Sequence, residues 1–193
     1  QQRKERYRMK REFGDKKRLE AVFMLALFYF AFLGMEYLYD DMMAYLTDAR
    51  GVVLAERYIL GAGFLGFVLF PVLDRYISGN NRKVVCFFGT LVEMICVFFI
   101  WQHGSYPSVL AGGCILFTVL GISGSAVHYR ISVLIDRKGC LARLIGEAYA
   151  LGILLQFFNN NLIPDDMTEA VILVAALAFF FHFIIRTDVG MPA

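Results

Sequence analysis

Residues 1–47 read QQRKERYRMKREFGDKKRLEAVFMLALFYFAFLGMEYLYDDMMAYLT. The first twenty hold nine basic side chains: Arg3, Lys4, Arg6, Arg8, Lys10, Arg11, Lys16, Lys17 and Arg18. From Ala21 the chain is apolar as far as Met35, and carboxylates return at Glu36, Asp40 and Asp41. Roughly 20 mostly apolar residues cross a bilayer as a helix. Residues 21–47 are therefore a predicted transmembrane span with a cationic segment, 1–20, on its cytoplasmic side. The segment is not a secretory signal, because no cleavage site follows and the apolar run is too long for one. It suits a positive-inside anchor, a contact for anionic lipid head groups, or a linker from something upstream.

The rest of the chain has the same character. Apolar residues make up 59% of the 193, charged residues 19%, and mean hydropathy is +0.58; soluble domains carry about 45–50% apolar residues. A soluble fold of this size has too little interior for that surface. Five further apolar stretches follow, at about 55–76, 84–102, 107–134, 141–160 and 168–185. Backbone groups in lipid must be satisfied within the segment or in a closed barrel, and none of these runs alternates every second residue as barrel strands do. The expected fold is all-α: a bundle of six transmembrane helices, with 187–193 a short tail.

Lys and Arg placement gives the orientation. With six crossings, 17 of the 19 basic residues fall on one side, leaving only Arg50 and Arg57 opposite. Both termini are then cytoplasmic, and the expected location is the plasma (inner) membrane of a multi-pass protein. The lipid bilayer is one partner. Nothing in the charge pattern asks for nucleic acid.

Cys86, Cys96, Cys114 and Cys140 form no C-x-x-C pair and have no histidine at metal spacing, so they read as buried thiols. No metal or cofactor is expected. Gly61, Gly63 and Gly66 spell G-x-G-x-x-G, but inside a membrane span the strand-turn-helix context of a dinucleotide site is missing. Small residues at near-helical spacing let helices approach closely in lipid. Gly61, Gly63, Gly66, Gly121, Gly124 and Gly146 are accordingly read as packing positions, and helices two, four and five as the inside of the bundle.

Ionisable groups inside a span are costly and are functional candidates by default. At about 1.5 Å per residue, Glu36 lies about 24 Å up the first helix and Glu93 roughly 14 Å into the third. Asp40 is one turn beyond Glu36 on the same face. Glu36, Asp40 and Glu93 are candidates for proton or cation coupling or solute contact. Arg130, near His128 at the inner edge of helix four, is a candidate ligand contact or interfacial anchor. Glu147 stands four residues after Arg143 and is placed to pair with it. His103 and His182 read as structural.

Three stretches carry a family resemblance: GAGFLGFVLFPVLDRYISGNNRK (61–83), LGISGSAVHYRISVLIDRKGCLARLIGEAYALGILL (120–155), and EYLYDDMMAYLTDARG before LAERYILGAGFLG (36–51 and 54–66). Together they resemble the N-terminal six-helix half of a major facilitator superfamily transporter. The resemblance implies gating-loop roles for Asp74, Arg75, Gly79, Arg82 and Lys83, with helices one, two, four and five facing a solute cavity. It implies a small-molecule solute moved by alternating access, and a second six-helix half or a homo-oligomeric partner. The Asp-Arg motif departs from the family pattern in the residues inserted before Arg82 and in Pro71.

Two other readings stand beside it. The size and span number are also similar to the substrate-capturing S-components of energy-coupling-factor importers, and a sensor or assembly role fits a lone half. Gly121-Ile122-Ser123-Gly124 with His182 resembles the serine site of rhomboid proteases. That site lacks its flanking glycines and oxyanion motif, so no enzyme activity is expected.

Overall fold

The computed structural model describes the backbone of residues 2–76, 79–134, 138–163 and 165–186, and the side chains of 18–76, 81, 84–133, 141–163 and 165–182. Regular structure among the described residues is helical throughout. The helices are α1 (Gln2–Ala44), α2 (Ala49–Asp74), α3 (Gly79–Trp101), α4 (Tyr106–Leu134), α5 (Lys138–Leu162) and α6 (Asp166–Arg186). Five are long and apolar enough to cross a membrane: α1 over Arg18–Ala44, α2, α3 over Val84–Trp101, α4 over Tyr106–Val133, and α5 over Leu141–Leu162. The basic segment is not a separate element, since α1 runs through it without a break from Gln2.

Local chemistry sets the ends. Asp48 caps α2 by accepting the Gly51 N–H at 2.9 Å, which satisfies one of the amides orphaned at a helix start. Asp165 caps α6 in the same way, accepting the Thr168 N–H at 2.8 Å and the Thr168 hydroxyl at 2.6 Å. Pro71 lies in the last turn of α2, and the helix stops three residues later.

α2 packs most extensively on α4, and α1 on α5; α1 meets α6 to nearly the same extent as α4 meets α3, and α3 meets α6. Exchanging α1 with α4, α2 with α5 and α3 with α6 maps these main contacts onto themselves. The main contacts thus follow a two-fold exchange pattern, although α1 also touches α2 and α3 with no comparable α4–α5 or α4–α6 contact among the described residues. Buried side chains form one cluster around Met35, Tyr39, Ile59, Phe117 and Leu173, and another around Leu25, Phe28, Val127, Leu144 and Phe180.

The helices at the centre are not those the glycine pattern selects. In α1 and α4, 56% of the apolar window is buried, against 22% in α2, α3 and α5. α4 is inside as expected, but α1 takes the place assigned to α2 and α5. A glycine permits close approach on one face of a helix only, and α2 spends that face on α4. A methyl at Gly66 would overlap the Thr118 carbonyl, and one at Gly121 the Gly63 carbonyl. Gly124 lies against the Phe28 ring. Among the described residues, a methyl at Gly61 or Gly146 would meet no atom of a neighbouring helix within 4 Å, so the packing role expected of these two is corrected.

Candidate functional site

α1 packs on α5 and α6 and more lightly on α4 and α2, and beside its exposed Tyr37 and Asp41 one stripe recurs every three or four residues, the spacing of one helical face: Tyr29, Leu33, Glu36, Asp40. Each is half-buried. In the inner part of this face the Tyr29 hydroxyl lies 2.8 Å from His128 Nε2. His128 Nδ1 lies 2.6 Å from the Gly124 carbonyl oxygen. A carbonyl only accepts, so Nδ1 carries hydrogen and donates; in the neutral imidazole Nε2 then accepts from Tyr29. Tyr149 of α5 meets the Tyr29 ring edge-on at 5.1 Å, and Phe67 of α2 lies 5.8 Å from the imidazole. Both are exposed. Four helices therefore converge on one aromatic-lined polar pair.

The outer part of the same face is acidic. Glu56, half-buried near the start of α2, is an electrostatic neighbour of both Glu36 and Asp40. One carboxylate oxygen of Asp40 is buried without a hydrogen-bond partner. Residues 36–57 and 165–169 together hold eight carboxylates against Arg50 and Arg57. Such an imbalance of charge attracts cations and repels anions. No three His, Cys, Asp or Glu among the described residues come together as a metal site. Asn159 donates to Glu169 at 2.7 Å, both buried.

At the inner end, Arg18 grips Glu147 with two bonds of 2.7 and 2.8 Å, and Arg143 Nε holds it at 2.7 Å. The i,i+4 pairing of Arg143 and Glu147 accompanies a tie from α1 to α5 that spacing does not reveal. Asp74 and Arg130 line a second feature, an apolar groove of about 400 Å³ between α2, α3 and α4, walled by Phe88, Val92, Val119 and Ser123 among others. Arg75 follows the end of α2 and is exposed. Gly79 opens α3; its surroundings, and the side chains of Arg82 and Lys83, lie outside the described residues.

Glu93 is fully buried in α3, the helix that packs on α4 and α6, and neither of its oxygens has a hydrogen-bond partner. The convergence around Tyr29 does not include it. Cys86, Cys96 and Cys114 form no disulfide among the described residues, and Cys140 lies outside the described side chains. His103 bonds the Trp101 carbonyl and stacks on Tyr45, while His182 is exposed.

Three members of the face were missed by sequence reasoning or placed elsewhere. Glu56 follows Ala55, which with Ile59, Gly63 and Gly66 marks the buried stripe of α2, and that spacing was the available signal. Tyr29 stands seven residues before Glu36, two turns along the same face. His128 was grouped with Arg130 as an edge residue, and only the crossing of α1 and α4 joins it to Tyr29.

Compared with protein-family models, curated proteins and solved structures, the chain matches none of them.

Proposed function

We propose that this chain is one six-helix half of a facilitator-type secondary transporter, moving a small solute by alternating access with proton or cation coupling. All six helices cross the membrane in this reading, and both termini are cytoplasmic. The observation that carries it is the packing pattern that maps onto itself when α1–α3 are exchanged with α4–α6. Three crossings per repeat give the two repeats opposite orientation, the inverted-repeat plan of alternating-access carriers.

The uncovered face fits the same reading. In this reading Glu36, Tyr29 and His128 stand at membrane depth, where lipid is a poor neighbour for ionisable groups, and Asp40, one turn beyond Glu36, reaches the outer interface. A second six-helix unit facing α1, α2, α4 and α5 would enclose them in an aqueous cavity. The acidic mouth favours a cationic solute or coupling cation. Glu36 and Asp40 are the coupling candidates, and the charge cluster of Arg18, Arg143 and Glu147 closes the inner end of the α1–α5 seam.

Accessibility tests this without knowing the solute. Single cysteines at Phe67 and Tyr149, in a chain cleared of its own thiols, are expected to react with a membrane-impermeant maleimide. Cysteines at Phe87 and Phe179, on the exposed sides of α3 and α6, are expected to stay unreactive in lipid. Equal unreactivity at all four positions would sink the cavity. Once a solute is found, Glu36→Gln and Asp40→Asn variants should lose gradient-driven uptake; fully driven uptake removes these residues from coupling.

The groove beside Asp74 and Arg130 favours a second reading, a solute-capturing module like the S-components. That protein would bind its ligand tightly in one copy and without any gradient.

A further inference from the structure

The two repeats can be placed in register residue by residue. Gly66 of α2 faces the Thr118 carbonyl and the Ile122 amide nitrogen of α4. Gly152 of α5 faces the Ala26 carbonyl at 3.1 Å and the Phe30 amide nitrogen at 3.2 Å on α1. Each glycine rests over a carbonyl and the amide four residues on. Thr118 therefore answers to Ala26 and Ile122 to Phe30, the same offset of 92 residues. At that offset His128 answers to Glu36.

Burial matches this register close to Glu36 and His128, although Leu38 is buried where Arg130 is half-buried, and Ala26 and Phe30 are buried where Thr118 and Ile122 are half-buried. Met35 and Val127 are buried, Glu36 and His128 half-buried, Tyr37 and Tyr129 exposed at 52% and 48%, and Tyr39 and Ile131 buried again. Glu36 lies eight residues from the outer end of α1 and His128 six from the inner end of α4, or about 12 and 9 Å by helical rise. Each repeat thus sets one ionisable group on the cavity face at a similar depth, from opposite sides.

Resting on the transporter reading, we propose that His128 is the inner proton-binding station of the coupling path, the counterpart of Glu36 at the outer mouth, and that Tyr29 is its positioning residue. The bound ion is a proton because an imidazole held by a phenol and a carbonyl offers no oxygen cage to a hard cation, and no His, Cys, Asp or Glu set among the described residues joins it to hold a softer one. The Tyr29 hydroxyl turns its hydrogen away, and the freed Nε2 lone pair takes a proton from hydronium in the cavity, leaving neutral water. The Tyr29 oxygen then accepts the new Nε2–H, while Nδ1–H stays on Gly124. Release to the cytoplasmic side reverses these moves. The groups facing His128 are Tyr29 of α1, with Tyr149 of α5 behind it, Phe28, and Phe67 of α2. None is charged at neutral pH, so the step is not locked by a fixed ion pair.

The test is nitrogen NMR of the full chain, labelled at histidine and held in phospholipid nanodiscs, with pH as the only ligand. His128→Gln identifies the signal among the three histidines. At alkaline pH the signal should report hydrogen on Nδ1 and a bare Nε2, and acidification should protonate Nε2. Tyr29→Phe keeps the ring but removes the acceptor for the charged form, whose hydrogen bond is the stronger one. Its midpoint should move to more acidic pH, with His103 and His182 unchanged. An Nε2–H tautomer at alkaline pH, an imidazole that never takes the proton, or an unmoved midpoint in Tyr29→Phe would each overturn the assignment. Failure here with reactive cysteines at Phe67 and Tyr149 sinks only the proton station, whereas unreactive cysteines sink the transporter reading.

Discussion

A missing Cβ matters only where another backbone occupies its place. At Gly66 and Gly121 the neighbour is a carbonyl group, which has no rotamer to change. Gly66→Val is therefore expected to force α2 and α4 apart at a cost of about 1–3 kcal/mol, the usual range for overpacking. Gly61→Ala, in open space on the same helix, should change stability little or raise it slightly through helix propensity. Thermal unfolding in one detergent compares the two, and equal effects would remove the close-crossing account. Gly61 and Gly66 look alike in the sequence because hydropathy and spacing do not say which side of a helix meets a partner.

Among the elements, α6 depends on its first turn. Thr168 gives both its hydroxyl and its amide hydrogen to Asp165, and these bonds hold that carboxyl below its ordinary pKa of 3.8. A lowered folded-state pKa contributes stability that is present above the unfolded value and is lost as pH falls through the folded one. Asp165→Ala should therefore lower the melting temperature at neutral pH, and the gap from wild type should close in acid below the carboxylate range. A gap that persists there would show that the cap acts through something other than its charge. Neither cap was anticipated from the sequence, because hydropathy marks only the apolar run that follows a cap. Nor was the junction of basic segment and span, since α1 crosses it as one helix.

For the molecule as a whole, the open question is what covers the face of α2, α1 and α5. Ionisable groups at that depth are stable only against water or protein. Chains carrying Leu154→Cys, on the exposed side of α5, should form disulfide-linked pairs on mild oxidation in bilayers if a second copy fills that role. Phe87→Cys chains should not. Monomers from both variants would leave a different second half as the covering unit.

By itself the sequence determined the helical class and the apolar stretches. These are sums over neighbouring residues, and partition into lipid reads such sums. Tertiary structure alone decided that α1 rather than α2 or α5 joins α4 at the centre. It also decided that Tyr29 meets His128, that Glu56 approaches Glu36 and Asp40, and that Gly61 and Gly146 face outward. Lipid is as apolar as a leucine side chain, so hydrophobicity does not distinguish a helix face turned to lipid from one turned to another helix. Shape fit at each crossing makes that distinction, and it depends on two segments at once.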